Sequence, residues 1–348
     1  MKDTIFIRVE SGEDVGYGHI IRCMALANYL KIHFKIIFIT SNSTGNLNSL
    51  IKKNNFRRIS LMRLIPLSHS NIINDAQQTI KIIKKFGNEK SLLLVDSYNL
   101  PIRWESLVKP YVRKLIVIDD LISRKHNCDL IIDQNLHTDM KKLYQNLIPN
   151  SCVKLFGPDY AILRKQFFIQ RKHMKVRSLP IQKILISFGG SDKKDYTLSI
   201  LNLIECLEKI KKIYVVVGSA SSNKDKIRYF CKNHSQFEYI EQTENMAKLM
   251  RNADLAIGSG GTTTWERCCL GLPSIIFVTS IDQKDIANAV SRYNCGINLG
   301  KLNKSSKLVL SKILSSFNKK EFEIMSKNCM NLVDGKGAIR ITNVIRKL

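Results

Sequence analysis

Short apolar runs alternate with amphipathic stretches along the whole chain. In the first half, the apolar runs predict strands at residues 4–9, 35–40, 92–96, 115–118, 130–133 and 152–156. The stretches between them place apolar residues at helical spacing and predict helices at 20–30, 47–53, 72–86 and 103–109. Strands that are apolar throughout and separated by helices indicate a parallel sheet covered on both faces. The first half is therefore expected to form a doubly wound α/β domain.

A second alternation of the same kind fills the rest of the chain. It predicts strands at 183–187, 213–217, 237–240, 255–257 and 275–278, with helices between them and from about residue 304 onward. A basic stretch at 162–176, predicted to be helical, separates the halves and is followed by Pro180. We therefore predict two Rossmann-like doubly wound domains, at 1–160 and 180–348, with a linker at 161–179. Their strand ends are expected to face each other across a cleft, a common place for small-molecule sites.

The most informative stretch is residues 258–277, which read GSGGTTTWERCCLGLPSIIF. The pattern is that of a strand, a glycine loop, a short helix and another strand. Gly260 and Gly261 allow a ligand to approach the backbone, and the free N–H groups of a helix start favour an anion. Thr262 begins a run of threonines that can cap the helix, and Glu266 can accept hydrogen bonds from vicinal sugar hydroxyls. The stretch predicts a nucleotide site, although a tight capped turn explains a glycine loop alone.

The first predicted strand leads into the sequence GYGH, which ends at His19. His19 therefore lies near a helix start, at the rim where open parallel sheets bind ligands. A helix N-terminus disfavours the imidazolium, so His19 is expected to stay neutral and to act as a base. Asp96 and the pair Asp119 and Asp120 end later strands at the same rim, and Tyr98 follows Asp96. A capping or packing role explains each of these side chains equally well.

The remaining histidines have polar or loop-like surroundings and no metal-ligand spacing: His33, His69, His126, His137, His173 and His234. The nine cysteines lack zinc-site spacing, so we expect reduced, mostly buried thiols and no metal. A net charge of +26 can mark a nucleic-acid binder, but the lysines are spread along the chain, so we expect a solvated basic surface. No apolar run approaches the ~20 residues of a membrane span. A cytoplasmic monomer without a targeting segment is expected.

Five segments, taken in order, resemble the signatures of one family: GYGHIIRCMALA at 16–27, VIDDLISRKHNCDLIIDQNL at 117–136, LFGPDYAILRKQF at 155–167, ISFGGSD at 186–192 and GSGGTTTWERCCLGLPSI at 258–275. The family comprises the UDP-2,4-diacetamido-2,4,6-trideoxy-β-L-altropyranose hydrolases of pseudaminic acid biosynthesis, to which proteins of spore-coat polysaccharide synthesis are related. The last segment also resembles the donor-nucleotide motif of glycosyltransferases with the GT-B fold. Together the segments extend over most of the chain.

The resemblance implies a GT-B fold and hydrolysis of a UDP-linked sugar at its anomeric carbon, with inversion and without a cofactor. The product would serve flagellin glycosylation or a surface polysaccharide. His19 is implied to position and deprotonate the attacking water, with Tyr98 near it. The implied UDP-sugar contacts are Gly16, Gly18, Arg22, Gly189, Gly190, Ser259, Gly260, Gly261, Thr262, Glu266 and Gln283.

The chain departs from the family pattern at two positions. Asp282 precedes Gln283 where the family has Asn-Gln, and a carboxylate is unfavourable beside a diphosphate unless Lys284 offsets it. Gln283 is therefore the expected contact of the two. Glu10 ends the first strand in place of the usual aspartate, so a role for Glu10 has little support. Two other functions stay open: a GT-B glycosyltransferase that uses an acceptor, and a basic nucleic-acid-binding protein without chemistry.

Overall fold

The computed structural model describes residues 2–12, 15–62, 69–190, 192, 194–205, 210–218, 221–303 and 305–348, without the side chains of His69 and Asp282. The chain divides into two compact units. Unit 1 comprises Met1–Arg164 and Lys336–Leu348, and unit 2 comprises Lys165–Gly335. The bounds thus differ from the expected domains in two ways. The end of the chain returns to unit 1, and most of the expected linker belongs to unit 2.

The strands are β1 (Thr4–Val9), β2 (Lys35–Ser41), β3 (Arg57–Leu61), β4 (Leu92–Asp96), β5 (Lys114–Ile118), β6 (Leu130–Asp133), β7 (Val153–Phe156), β8 (Lys183–Ser187), β9 (Lys212–Val217), β10 (Phe237–Glu241), β11 (Leu255–Ser259), β12 (Ser274–Phe277) and β13 (Gly296–Asn298). The helices are α1 (Gly18–Leu30), α2 (Asn48–Lys53), α3 (His69–Phe86), α4 (Ile102–Val108), α5 (Met140–Leu143), α6 (Lys165–Arg171), α7 (Tyr196–Ile204), α8 (Lys224–Lys232), α9 (Met246–Asn252), α10 (Thr263–Cys269), α11 (Lys284–Arg292), α12 (Ser306–Ser316), α13 (Lys319–Leu332) and α14 (Gly337–Ile345). Short 3-10 helices lie at Lys109–Tyr111, Pro158–Tyr160 and Ile281–Gln283.

Each unit is built on a sheet whose paired strands run parallel. The strand order is β3-β2-β1-β4-β5-β6-β7 in unit 1 and β10-β9-β8-β11-β12-β13 in unit 2. The order reverses between β1 and β4 and between β8 and β11. In doubly wound sheets, such reversal points are where ligands bind. The predicted α/β fold with two parallel sheets is confirmed, and the predicted glycine loops lie at these reversal points.

The sequence pattern missed two edge strands and overextended one helix. β3 reads RRISL and is largely accessible, and β13 has only three residues, so neither forms an apolar run. α6 stops at Arg171 instead of continuing to residue 176. The chain beyond it is held by Arg177, whose guanidinium donates to the carbonyl oxygens of Ala253 and Met250 at 2.8 and 2.7 Å.

Alternation along β1 fills both faces of the unit 1 sheet. Ile5 and Ile7 lie in one buried cluster, whereas Phe6 lies in another on the opposite face. The first cluster also contains Ile341 and Ile345 of α14. The last helix was expected in the C-terminal domain, but its apolar face completes the core of unit 1 instead.

Candidate active site

A glycine loop joins β1 to α1 and sets the position of His19. The Gly16 N–H donates to the Gly12 carbonyl oxygen at 2.8 Å, which closes the loop. Gly16 has a φ of +83°, a left-handed conformation that strains any side chain, and a Cβ on Gly18 would meet no atom within 4 Å. α1 begins at Gly18, so His19 lies in its first turn, where it is 6% exposed. The imidazole is therefore held at the carboxyl end of β1.

Asp96 orients the imidazole from the neighbouring strand. It ends β4 opposite Val9 of β1, and its Oδ1 is 2.6 Å from Nδ1 of His19. Burial would raise the pKa of Asp96, but the charges of Arg22 and His19 hold that pKa well below its usual range. An ionised carboxylate only accepts hydrogen bonds, so we assign the proton of a neutral imidazole to Nδ1. Within the described part of the chain, Nε2 makes no hydrogen bond and can accept a proton.

Arg22, one turn further along α1, neutralises the carboxylates around His19. Its guanidinium donates to Asp96 through Nε at 2.6 Å and Nη2 at 2.7 Å, and to Asp120 through Nη1 at 2.8 Å. Burial would lower the pKa of Arg22, but the two carboxylates raise it well above its usual value. We predicted Arg22 as a UDP-sugar contact. The structure places the side chain beside His19, where it is 4% exposed and its donors contact carboxylates.

Tyr98 follows β4 and lies beside His19. Its hydroxyl donates to Oδ1 of Asp120 at 2.5 Å. Its ring meets the imidazole edge to face, with centroids 4.5 Å apart and planes at 82°. Burial and the negative charge of Asp120 raise the pKa of the phenol well above its usual value, so Tyr98 stays protonated and is a hydrogen-bond donor. The predicted neighbourhood of His19 and Tyr98 is thus present in unit 1.

Glu10 belongs to a different ion-pair group. Its Oε1 accepts from Arg8 and its Oε2 from the Ser41 hydroxyl, both at 2.6 Å. Arg8 also pairs with Asp75 at 2.6 Å. These contacts tie the end of β1 to β2 and α3, and they give Glu10 a structural task.

His126, one of the histidines with loop-like surroundings, is buried between two carboxylates. Nδ1 lies 2.7 Å from Oε1 of Glu105, and Nε2 lies 2.8 Å from Oδ2 of Asp119. Burial would lower the pKa of His126, but the hydrogen bonds to Asp119 and Glu105 raise it to about 9. The loop-like sequence around it hid this position, because only the fold brings these two carboxylates together.

In unit 2, two glycine loops leave the sheet side by side. Ser187 of β8 pairs with Gly258 of β11, where a Cβ on Gly258 would lie 2.2 Å from the Ser187 carbonyl oxygen. Gly189, just after β8, has a φ of +92°. A Cβ on Gly218 would lie 2.0 Å from the Gly190 carbonyl oxygen. The close approach of these backbones explains the glycines and makes the two predicted loops neighbours.

Gln283 fastens the loop that follows β11. Its Oε1 accepts from the Gly260 N–H at 3.2 Å and from the hydroxyl of Thr279 at 3.0 Å. A Cβ on Gly260 would lie 3.0 Å from the Gln283 carbonyl oxygen, whereas one on Gly261 would meet no atom nearer than 3.9 Å, which is Nε2 of Gln283. The loop is therefore packed on one side and open at Gly261, where the amide of Gln283 can donate to a ligand.

The threonine run does not cap α10 in the way the sequence suggested. Thr262 precedes the first turn, and its side chain makes no capping hydrogen bond. The Thr264 hydroxyl accepts from Arg267 at 2.8 Å inside the core. Within the described residues, the N–H groups of Gly261 and Thr262 have no protein acceptor. A helix of seven residues has a small dipole, so an anion here would rely on these individual donors.

Ser259 and Glu266 flank the loop. The Ser259 carbonyl oxygen accepts from Nη2 of Arg267 at 2.7 Å, which ties the end of β11 to α10. Burial lowers the pKa of Arg267 to about 10. Glu266 lies in the first turn of α10 and is half-buried. The charge of Arg267 is therefore buried and committed to the protein, whereas Glu266 stays partly accessible. Asp282, named above as an unfavourable neighbour, has its side chain outside the described part of the chain.

The described cysteines are free and buried: Cys23, Cys128, Cys152, Cys231, Cys268, Cys269, Cys295 and Cys329. Three of them, Cys268, Cys295 and Cys329, bring their sulfur atoms within 4.8 Å of one another in unit 2. Their positions along the chain gave no sign of this cluster. Among the described helices, none combines the length and the apolar character needed to cross a bilayer.

Comparisons with known proteins show what the chain is similar to. Residues 184–339 match the glycosyltransferase family 28 C-terminal domain. The spore coat polysaccharide biosynthesis protein SpsG of Bacillus subtilis (strain 168) is 26% identical over 98% of this chain and 97% of its own length. The UDP-2,4-diacetamido-2,4,6-trideoxy-beta-L-altropyranose hydrolase of Campylobacter jejuni is 26% identical over 76% of this chain and 88% of its own length.

Solved structures extend the likeness to the whole fold. MurG of Acinetobacter baumannii superposes with a TM-score of 0.69 at 13% identity, over 100% of both chains. This likeness confirms the GT-B fold. The two sequence relatives confirm the resemblance to the altropyranose hydrolases and to the spore-coat proteins. The chain is thus a relative of GT-B proteins that include a UDP-sugar hydrolase.

Proposed function

We propose that the protein hydrolyses a UDP-linked 2,4-diacetamido-2,4,6-trideoxy sugar at its anomeric carbon, with inversion, and releases UDP and the free sugar for pseudaminic acid biosynthesis. The observation that carries the proposal is the contact of His19 Nδ1 with Asp96 at 2.6 Å, which leaves Nε2 to accept a proton. The likeness to the Campylobacter jejuni hydrolase supports the choice of substrate.

His19 acts as the general base on water. Nε2 takes a proton from the water as its oxygen bonds to the anomeric carbon. The bond from that carbon to the diphosphate oxygen breaks, and its electron pair leaves with UDP. A single displacement of this kind inverts the anomeric centre. Asp96 orients the imidazole and stabilises the imidazolium that forms, and such a base contributes typically ~10²–10⁴-fold to the rate.

The other groups of unit 1 shape the surroundings of the base. The ring of Tyr98 packs against the imidazole and limits its rotation. Gly16 and Gly18 leave open space, since a Cβ on either would meet no atom within 4 Å. A sugar carrying two acetamido groups needs such room near the base.

Unit 2 holds UDP in this proposal. The N–H groups of Gly261 and Thr262 and the amide of Gln283 are neutral donors for the diphosphate, and Glu266 accepts hydrogen bonds from the ribose hydroxyls. Donors that are fixed before the reaction stabilise the charge that develops on the departing diphosphate. The neighbouring loop with Gly189 and Gly190, together with Ser259 and Gly260, completes the proposed contact surface.

A glycosyltransferase with a UDP-sugar donor is the second candidate. It is favoured by the match of residues 184–339 to the glycosyltransferase family 28 C-terminal domain. In that case His19 would deprotonate an acceptor hydroxyl in place of water, and the same loop would hold UDP. The two candidates differ in their need for an acceptor and not in their nucleotide site.

Incubation of the purified protein with the UDP-linked diacetamido-trideoxy-altrose, followed by NMR, tests the proposal. We expect UDP and free sugar in water alone, a His19→Asn variant slowed by about 10²-fold or more, and an active His33→Asn control. Thermal protection by UDP should persist in both variants. An intact sugar nucleotide that is consumed only when an acceptor is added would favour the glycosyltransferase.

We also propose that the protein works as a cytoplasmic monomer, without a specific nucleic-acid partner or an integral membrane segment. Free thiols persist in a reducing compartment, and all the described cysteines are free, including Cys128 and Cys152 with sulfur atoms only 3.6 Å apart. Sedimentation at several concentrations tests the oligomeric state, and a dimer at low concentration would contradict it.

A further inference from the structure

A short segment between β4 and α4 carries Tyr98, and a single arginine holds that segment. Nη2 of Arg124 donates to the Ser97 carbonyl oxygen at 2.7 Å. Nη1 donates to the carbonyl oxygens of Tyr98 and Leu100 at 2.8 and 3.1 Å. Three backbone acceptors on one guanidinium fix the path of this segment, because the planar fork of arginine presents its donors in a rigid arrangement.

Arg124 is itself held by three buried side chains of alternating charge that contact one another in sequence. Nε of Arg124 donates to Oδ2 of Asp119, the same oxygen that His126 contacts at 2.8 Å. The other nitrogen of His126 lies 2.7 Å from Glu105 of α4. Glu105 and Asp119 are both 1% exposed. The two carboxylates and the two basic side chains balance each other, so this group of four side chains has no net charge in the interior.

The segment matters because both contacts of Tyr98 depend on where it runs. The hydroxyl reaches Asp120 at 2.5 Å, and the ring lies with its centroid 4.5 Å from that of His19. Tyr98 is 37% exposed, so packing alone does not fix it. A shift of the backbone by an ångström would break the hydroxyl contact and move the ring away from the imidazole.

We propose that Arg124 is a positioning residue of the active site, which acts through Tyr98 by fixing the Ser97–Leu100 backbone, with Asp119, His126 and Glu105 as its support. Arg124 does not touch the substrate. The inference rests on the proposed function for the roles of His19 and Tyr98, and it extends the site to a second layer that the comparisons do not assign.

A double-mutant cycle tests the inference. Arg124→Lys keeps the charge beside Asp119 but loses the fork, and we expect kcat to fall about 10- to 100-fold with KM for the UDP-sugar little changed. In a Tyr98→Ala background, the same change should lower kcat by less than about two-fold, because its target is gone. An equal loss in both backgrounds would overturn the inference and leave Arg124 a purely structural role.

The matched control is Arg58→Lys, which alters an arginine of unit 1 that contacts Thr40 and Ser60 side chains and not the Tyr98 segment. It should leave kcat unchanged. If Arg124→Lys does not fold, as judged by thermal unfolding, Arg124→Gln is the second variant, since its amide can still donate to one of the carbonyl oxygens. A Gln variant as active as wild type would also refute the inference.

A spectroscopic measurement separates this inference from the proposed function. The ring protons of His19 sense the edge of the Tyr98 ring, so their NMR resonances should shift in Arg124→Lys as they do in Tyr98→Ala, and stay in place in Arg58→Lys. This result holds even if the wild-type protein does not hydrolyse the UDP-sugar. Unmoved His19 resonances in Arg124→Lys would contradict the positioning role, whatever the activity.

Discussion

Both units place a glycine loop where the strand order reverses. The two loops differ in the chemical groups that surround them. In unit 1, the loop before α1 presents His19 among Arg22, Asp96 and Asp120, which are buried and paired. In unit 2, the loop before α10 presents backbone N–H groups and the neutral amide of Gln283. Fixed charges suit a side chain that must change its protonation state, whereas neutral donors suit a ligand that brings its own negative charge.

The difference has an energetic cause. A buried group of charges is stable only when every member is paired, because an unpaired charge in the interior is strongly destabilising. The network around His19 is therefore sensitive to any single change. The loop of unit 2 has few buried charges that depend on a partner. Substitutions there should therefore affect ligand binding more than folding. Four substitutions test this contrast, from the largest expected effect to the smallest.

Asp96→Asn should have the largest effect. It removes the acceptor that orients His19 and leaves Arg22 with only one carboxylate. We expect the rate to fall by about 10²–10⁴-fold and unit 1 to lose about 3 kcal/mol of unfolding free energy. The chain has two tryptophans, and Trp104 lies in unit 1 while Trp265 lies in unit 2, so a Trp265→Phe background reports unit 1 alone. Asp225→Asn, at an exposed ion pair, is the control and should change neither quantity.

His126→Gln should remove a pH dependence that belongs to unit 1. The folded-state pKa of His126 is raised to about 9, above its ordinary value of 6.5, so its stabilisation is complete below about pH 6.5 and lost as the pH rises through 9. Linkage gives a wild-type loss of about 3 kcal/mol over that range, which the variant should lack. Urea unfolding followed by Trp104 fluorescence in the Trp265→Phe background, at both ends of the range, measures it. Parallel curves for the two proteins would show that His126 is not held as an imidazolium.

Gly261→Ala should weaken nucleotide binding without affecting the fold of unit 2. The added Cβ would meet no protein atom nearer than 3.9 Å, but it would stand where a diphosphate approaches the backbone. We expect the Kd of UDP to rise about ten-fold, by titration calorimetry. In a Trp104→Phe background, Trp265 fluorescence should report an unchanged unfolding transition of unit 2. If UDP binds as before, the loop is not the nucleotide site and the contrast between the units loses its functional meaning.

Gln283→Glu should have the smallest effect of the four. The carboxylate keeps an acceptor for the Gly260 N–H but adds a negative charge beside the proposed diphosphate site. We expect UDP binding to weaken by about 1 kcal/mol at low ionic strength and to recover partly with added salt. Gln283→Met lacks both the acceptor and the charge. It separates the effect of losing the hydrogen bonds to Gly260 and Thr279 from the effect of repulsion between a carboxylate and the diphosphate. A Glu variant that binds UDP as tightly as wild type would show that neutrality is not required there.

The sequence predicted what depends on local pattern. The alternation of apolar runs with helical stretches predicted the parallel strands. The sequence GYGH, with its two glycines before a histidine, predicted the loop before α1. The carboxylates Asp96 and Asp120 were predicted at the rim because they end apolar runs. The edge strand β3 was missed because its residues are mostly polar, and α14 was misplaced because nothing local says which core a terminal helix completes.

The sequence could not predict partners that the fold brings together across long separations. Arg22 was expected to contact the ligand, and only the structure shows that Asp96 and Asp120 occupy its donors. Arg124 and His126 lie in a segment without regular structure, so neither periodicity nor spacing marks them. The same holds for the sulfur cluster of Cys268, Cys295 and Cys329, which come from α10, the turn before β13 and α13.

The most direct test of the central claim is the fate of isotope-labelled water in the reaction with the UDP-linked diacetamido-trideoxy-altrose. Attack by water at the anomeric carbon places the heavy oxygen in the free sugar, and mass spectrometry should find none in UDP. The label should enter the sugar in the wild-type protein without any acceptor and only very slowly in His19→Asn. Heavy oxygen in UDP, or no product until an acceptor is supplied, would contradict hydrolysis by a water that His19 activates.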